Sequence, residues 1–261
     1  MTPVPRPAGP RGIGAPPRTA LAAALAACCA CLATAAAPAH AEVNAAIQPS
    51  FRPDGLGART AFTFAFRLGG AEHELPAPLS RVVLHMPAGL GIDLHGLATC
   101  AASRLQRYGA RGCSPRSLVG RGLEQLEAQA GSQPIPEQAT IWAFRGADRG
   151  GPTVLEILGQ GETPLDQRTV AVATLSGDNG PYGSKLSVSV PPIPTVVYEP
   201  DASILSFSLT IGAVGSRPPA QAAAATVTMP RRCPAGGFPF AANFAFEDTT
   251  TARASARVRC P

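Results

Sequence analysis

Phe62, Phe64, Phe66 and Leu68 alternate with Thr63, Ala65 and Arg67, and a period of two is that of an extended strand with one buried face and one wet face. Comparable short apolar runs recur at residues 82–86, 140–144, 154–158, 169–175, 185–190, 203–211, 226–229, 238–246 and 250–258. Clusters of Gly, Pro, Asp or Ser separate them, a rhythm that belongs to an all-β protein rather than to alternating helices and strands. The expected fold is therefore an antiparallel β-sandwich, one large sandwich or two packed halves, with one short helix near Cys100 and Cys113.

That helix is read at residues 97–108, where Leu97, Ala101 and Leu105 stand four apart and Gly109 ends the pattern. Residues 123–130 are ambiguous: leucines three apart suit a helix, and the glycines before them suit a strand. Gly177-Asp178-Asn179-Gly180-Pro181 reads as a hairpin turn, and Pro191-Pro192-Ile193-Pro194 lies outside any central strand because proline lacks the amide donor. Proline-rich breaks at 133–137 and 217–225 are candidate internal seams.

Residues 1–41 read as an export signal. Arg6, Arg11 and Arg18 form a basic leader, residues 19–37 are an almost unbroken alanine-rich apolar stretch, and Ala39-His40-Ala41 offers a cleavage site before Glu42. Leu25-Ala26-Ala27-Cys28 also matches a lipobox, which would place an acyl group on Cys28. The chain stays apolar beyond Cys28, however, where a lipoprotein turns polar, so cleavage after Ala41 is preferred. There is no twin-arginine pair in the leader, which favours the general export route. The expected location is secreted or associated with the cell envelope, with no transmembrane helix after cleavage.

Cleavage removes Cys28, Cys29 and Cys31 and leaves Cys100, Cys113, Cys233 and Cys260, an even number that in an exported chain argues for disulfides. Cys233 and Cys260 bracket the runs at 238–246 and 250–258, joined by the turn Glu247-Asp248-Thr249-Thr250. Paired residues in an antiparallel hairpin have a constant index sum, and the midpoint of 233 and 260 falls at that turn. The two cysteines are thus expected opposite one another, close enough to bridge. Cys100 and Cys113 then close a small loop over residues 101–112. Zinc is disfavoured because no two of the four stand two to four residues apart.

Of 22 basic and 17 acidic residues, the mature chain keeps 19 and 17, a net charge of +2, which gives no electrostatic case for nucleic acid. Chemistry is sparse. His85 and His95, with Asp93, could form a base or metal site, but no metal-ligand spacing is present, and His73 is flanked by Glu72 and Glu74. No Gly-x-Ser-x-Gly elbow presents a serine. Glu124, Glu127, Glu156, Glu162 and Asp166 could supply a glycosidase pair only if the fold brings two of them together. Asp178 and Asn179 lack the acidic spacing of a calcium loop. The aromatic residues that could meet a ligand are Trp142, Tyr182 and Tyr198.

The stretch 82–119 resembles a pattern in uncharacterised exported β-rich proteins of high-GC actinobacteria. The residues that carry it are Met86-Pro87-Ala88-Gly89-Leu90, Cys100, Gly112-Cys113-Ser114-Pro115 and Ser117-Leu118-Val119-Gly120, with Cys233-Pro234 and Cys260-Pro261 closing the chain. Ser114 departs from the pattern by separating Cys113 from Pro115. The resemblance implies the fold class and the disulfides and no activity.

The expectation is an exported, non-enzymatic β-sandwich without a cofactor, structural, adhesive or binding in role. Cell-wall polysaccharide or another envelope protein is the expected kind of partner. The rivals are a carbohydrate- or wall-binding module and a hydrolase whose acid and base meet only in the fold.

Overall fold

The computed structural model describes residues 43–70, 74–131, 133–147, 150–163, 167–195, 199–212 and 225–261. The expected leader 1–41, His73, Asp166, Tyr198 and residues 217–224 of an expected seam lie outside them, as does the side chain of Glu162.

The alternating run around Phe64 forms β2 (Arg59–Gly69), its phenylalanines buried and Arg67 exposed. It pairs on one side with β1 (Asn44–Arg52) and on the other with β10 (Ser203–Ile211). The ladder continues from β10 through β5 (Leu118–Ala130), β6 (Gln133–Arg145), β7 (Thr153–Thr163), β8 (Arg168–Gly177) and β9 (Tyr182–Ser189). It ends with β3 (Leu79–Pro87), β12 (Phe238–Phe246) and β13 (Thr251–Val258). Two short strands, β4 (Gly91–Asp93) and β11 (Thr226–Thr228), extend the start of β2. Every pairing is antiparallel.

The sheet curls until its two ends meet. β1 lies alongside β13, and the phenylalanines of β2 and β1 pack on those of β12: Phe66 to Phe244 at 5.2 Å, Phe62 to Phe240 at 5.5 Å and Phe51 to Phe238 at 6.1 Å between ring centroids. Phe238, Phe240 and Phe244 are almost wholly buried, each contributing roughly 1.5–3 kcal/mol of burial free energy. The all-β sandwich is thus made by one curved sheet folded face to face on itself.

The helix is shorter than the four-residue spacing predicts. α1 spans Ala102–Tyr108 and runs into a 3₁₀ turn at Gly109–Gly112, with Gly109 at φ 64° ending it as expected. It does not begin at Leu97 because the Cys100 amide, which a helix starting there would direct to Gly96, donates instead to Arg145 on β6. Arg145 Nη1 donates to the Leu94 and Leu97 carbonyls, both at 3.0 Å. Residues 123–130 are strand, part of β5. The seam expected at 133–137 is also strand, since β5 pairs with β6 throughout it. Pro134 and Pro136 are tolerated because β7 pairs with β6 only from Gln138 onward, so these prolines face no second ladder.

Both disulfides join the expected cysteines, Cys100 to Cys113 with Cα atoms 5.6 Å apart and Cys233 to Cys260 at 6.0 Å. The register behind the second differs from the expectation. The β12–β13 ladder pairs Phe238 with Val258 and Ala245 with Thr251, so it centres on Asp248, beyond the midpoint of the cysteines. Cys233 therefore lies past the paired strand and is brought back by a turn in which Gly237 donates to Pro234, with Gly236 and Gly237 at φ 79° and 89°. Only glycine adopts two successive conformations of that kind without strain.

Candidate functional site

The strand alternation turns one set of side chains into the curl, and they leave a cavity of about 100 Å³. Its walls come from β2, β3 and β5 to β10 and from the segment at β4. The lining is apolar except for Thr153, Thr169 and a single ionisable residue, Glu124. On one side the wall is not sealed: Leu175, Leu186, Val188, Val190 and Ile193 are apolar, line the cavity and are only half-buried.

Glu124 reaches this cavity because it shares the phase of Leu126 and Ala128 on β5, all three buried while Leu123, Gln125 and Gln129 are exposed. Opposite it in register stand Ala139 on β6 and Phe207 on β10. Its Oε2 lies over Gly159 of β7, 3.5 Å from where a β-carbon on that glycine would be. Burial, with the nearby Glu137 carboxylate as a second cause, pushes the Glu124 carboxyl up to about 8. Burial also raises Glu137 and Glu156 above the ordinary glutamate range. A carboxyl in apolar surroundings stays protonated because ionisation there is not solvated.

The other carboxylates considered from sequence are dispersed. Glu127 lies on the opposite face of β5 from Glu124. Glu156 faces outward from β7, opposite Phe144 in register, and its Oε2 is buried without a hydrogen-bond partner.

His85 does not meet His95 or Asp93. It projects from the outer face of β3, where Nδ1 and Asp178 Oδ2 are 2.6 Å apart and Nε2 is 2.9 Å from Asn243 Nδ2. Tyr182 packs beside it, 5.3 Å between rings. Both imidazole nitrogens are thus engaged, which leaves no free nitrogen for a base. Burial opposes ionisation of Asp178, but the hydrogen bonds from His85 and the Asn179 amide, with the charges of His85 and Lys185, outweigh it and hold the carboxyl below its usual range. Asp93 instead accepts from the His95 amide at 2.9 Å. Among the described residues no three His, Cys, Asp or Glu side chains converge as metal ligands.

The chain matches no family model, no curated protein and no solved structure.

Of the three aromatic candidates, the described pair are separated. Trp142 is half-buried against a small outer cluster of Cys100, Leu105, Phe144 and Leu158 that seats α1 on β6 and β7. Tyr182 is half-buried beside His85. Glu137 and Gly159 belong to the site and were not singled out by sequence. One signal was available: a carboxylate in phase with apolar neighbours along 124–128. It is readable only once that segment is taken as a strand.

Proposed function

We propose that this chain is an exported binding protein, without a catalytic activity of its own, that holds a slender apolar ligand inside its curled sheet. The observation that carries the reading is the cavity, whose walls are apolar and partly open along β8 and β9. Soluble sandwiches normally fill such a space with side chains, because an unfilled void forfeits dispersion contacts. At about 100 Å³ the enclosed space is smaller than the roughly 150 Å³ of a dry cavity that admits benzene, so it would take only part of a ligand. The half-buried wall gives a longer chain somewhere to continue. The two disulfides accord with an oxidising, extracytoplasmic location, and no helix among the described residues is long and apolar enough to cross a membrane.

The hydrolase reading has one observation on its side: Glu124 and Glu137 are close enough for one to raise the other, as in acid–base pairs. The lining argues against a sugar substrate, because its hydroxyls would be buried against aliphatic walls with almost nothing to bond. The wall-binding reading wants an exposed aromatic strip, and Trp142 is committed to packing under α1.

The test is a titration of the purified protein with diphenylhexatriene, a linear hydrocarbon that fluoresces in apolar surroundings. A saturable rise in emission at near-equimolar ratio supports the reading. Emission no greater than that with a cavity-free control protein overturns it.

A further inference from the structure

Glu124 is an anomaly in its setting. Its side chain is 7% exposed, it faces into the cavity, and no hydrogen bond or ion pair among the described residues reaches its carboxyl. β6 contributes Glu137 to its surroundings, and β7, β8 and β10 contribute Gly159, Thr169 and Phe207, none of them ionisable. With no cation to balance it and a second carboxylate nearby, the group is held neutral up to about pH 8. A neutral carboxyl carries one O–H donor. That donor has no acceptor among the described residues and faces the space of the cavity.

We propose that the cavity binds an alkyl or acyl chain bearing an uncharged hydrogen-bond acceptor, an ester or ketone oxygen, and that the Glu124 carboxyl donates to that oxygen. The inference rests on the binding reading above and adds to it the chemistry of the ligand's polar end. A carboxylate head would bring a like charge beside Glu137, and an ammonium head would have to leave water for a lining whose only polar residues are Thr153, Thr169 and Glu124. Gly159 leaves the carboxyl open to the cavity, where any larger residue would take up the space beside it. Ionisation removes the donor, so the preference for an acceptor-bearing ligand is present below about pH 8 and lost above it.

The experiment compares methyl decanoate with n-decane as displacers of diphenylhexatriene, at about pH 6 and about pH 9.5, on either side of the Glu124 transition. In the native protein the ester is expected to displace roughly three- to tenfold better at the lower pH, the worth of one hydrogen bond, and no better at the higher. Glu124→Gln keeps an N–H donor that does not titrate and should retain the ester preference at both values. Glu124→Leu should bind diphenylhexatriene yet treat ester and alkane alike. Equal displacement by the two in the native protein, or an ester preference that survives in Glu124→Leu, overturns the assignment to Glu124 while the binding reading stands. Failure of diphenylhexatriene to bind the native protein overturns both.

Discussion

The carboxyl of Glu124 on β5 lies over Gly159 on β7, its Oε2 3.5 Å from the position of a β-carbon that the glycine lacks. The same position stands 3.5 Å from Ile141 Cδ1, so a methyl would make ordinary contacts and displace nothing. Gly159→Ala is expected to fold and to be as stable as the native protein or more stable by about 0.5–1 kcal/mol, since glycine weakens a strand interior. Gly159→Val adds bulk beside the carboxyl and should cost about 1–3 kcal/mol by overpacking. Urea denaturation of the two variants decides the matter, and equal stabilities for both would show that the space beside Glu124 is not confined.

Stability should depend on pH through the same residue. The Glu124 pKa is raised from 4.5 to about 8 on folding, so between those values the folded protein retains a proton that the unfolded chain has released. The contribution is fully present below about pH 4.5, declines as pH rises and is lost above about 8, with a total on the order of a few kcal/mol. Glu137 and Glu156 are raised in the same direction and add to the slope. The readout is therefore the difference between native protein and Glu124→Gln in thermal midpoints from acid to alkaline pH. Parallel curves would mean that Glu124 is not buried in its neutral form.

Phe244 closes the curl by packing against Phe66 of the opposite layer, and it is 1% exposed. Phe244→Ala should cost about 3–5 kcal/mol, combining lost burial with the void left behind. Phe244→Leu should recover most of that. A loss below about 1 kcal/mol in the alanine variant, measured by denaturant unfolding, would contradict a core shared by β2 and β12.

The intact protein should weigh four hydrogens less than its fully reduced form, because both cysteine pairs are bridged. The Cys233–Cys260 bridge spans a sequence separation of 27, for which loop-closure entropy suggests about 3–4 kcal/mol. Cys260→Ser should lower stability by that order and leave β12 paired with β3. Detection of a free thiol in the unreduced protein would refute the pairing.

The proposed export makes a prediction of its own. The secreted form should begin at Glu42, as read by amino-terminal sequencing, and a lipid-modified Cys28 would instead give a heavier, detergent-requiring species. The purified protein is expected to remain in the supernatant when spun with isolated cell walls. Saturable sedimentation that soluble wall polysaccharide reverses would move the binding surface to the outer aromatic residues, with Trp142 and Tyr182 as the first to replace.

Much of the strand pattern could be read from residues because alternation is local. β10 and β12 fall where their apolar runs begin and end, and the turn at Gly177 to Pro181 joins β8 to β9. The helix start at Ala102 could not be read, since the Cys100 amide that an earlier start would need is claimed by Arg145, distant in the chain. The cysteine pairing was legible and its register was not, because a glycine turn outside the strand sets how Cys233 returns to Cys260.

Sequence by itself determined most of the strands, the buried face of β2 and the two cysteine pairs, which follow from side-chain period, turn chemistry and parity over short distances, whereas β1 carried no readable run and β5 stood between helix and strand. Tertiary structure alone decided that β2 would meet β12, that β3 would enter between β12 and β9, and that Glu124 would face Gly159 across a cavity. The physical reason is that a carboxylate's chemistry depends on the water and charges around it. Those around Glu124 come from strands far apart in the chain, brought together only when the sheet curls.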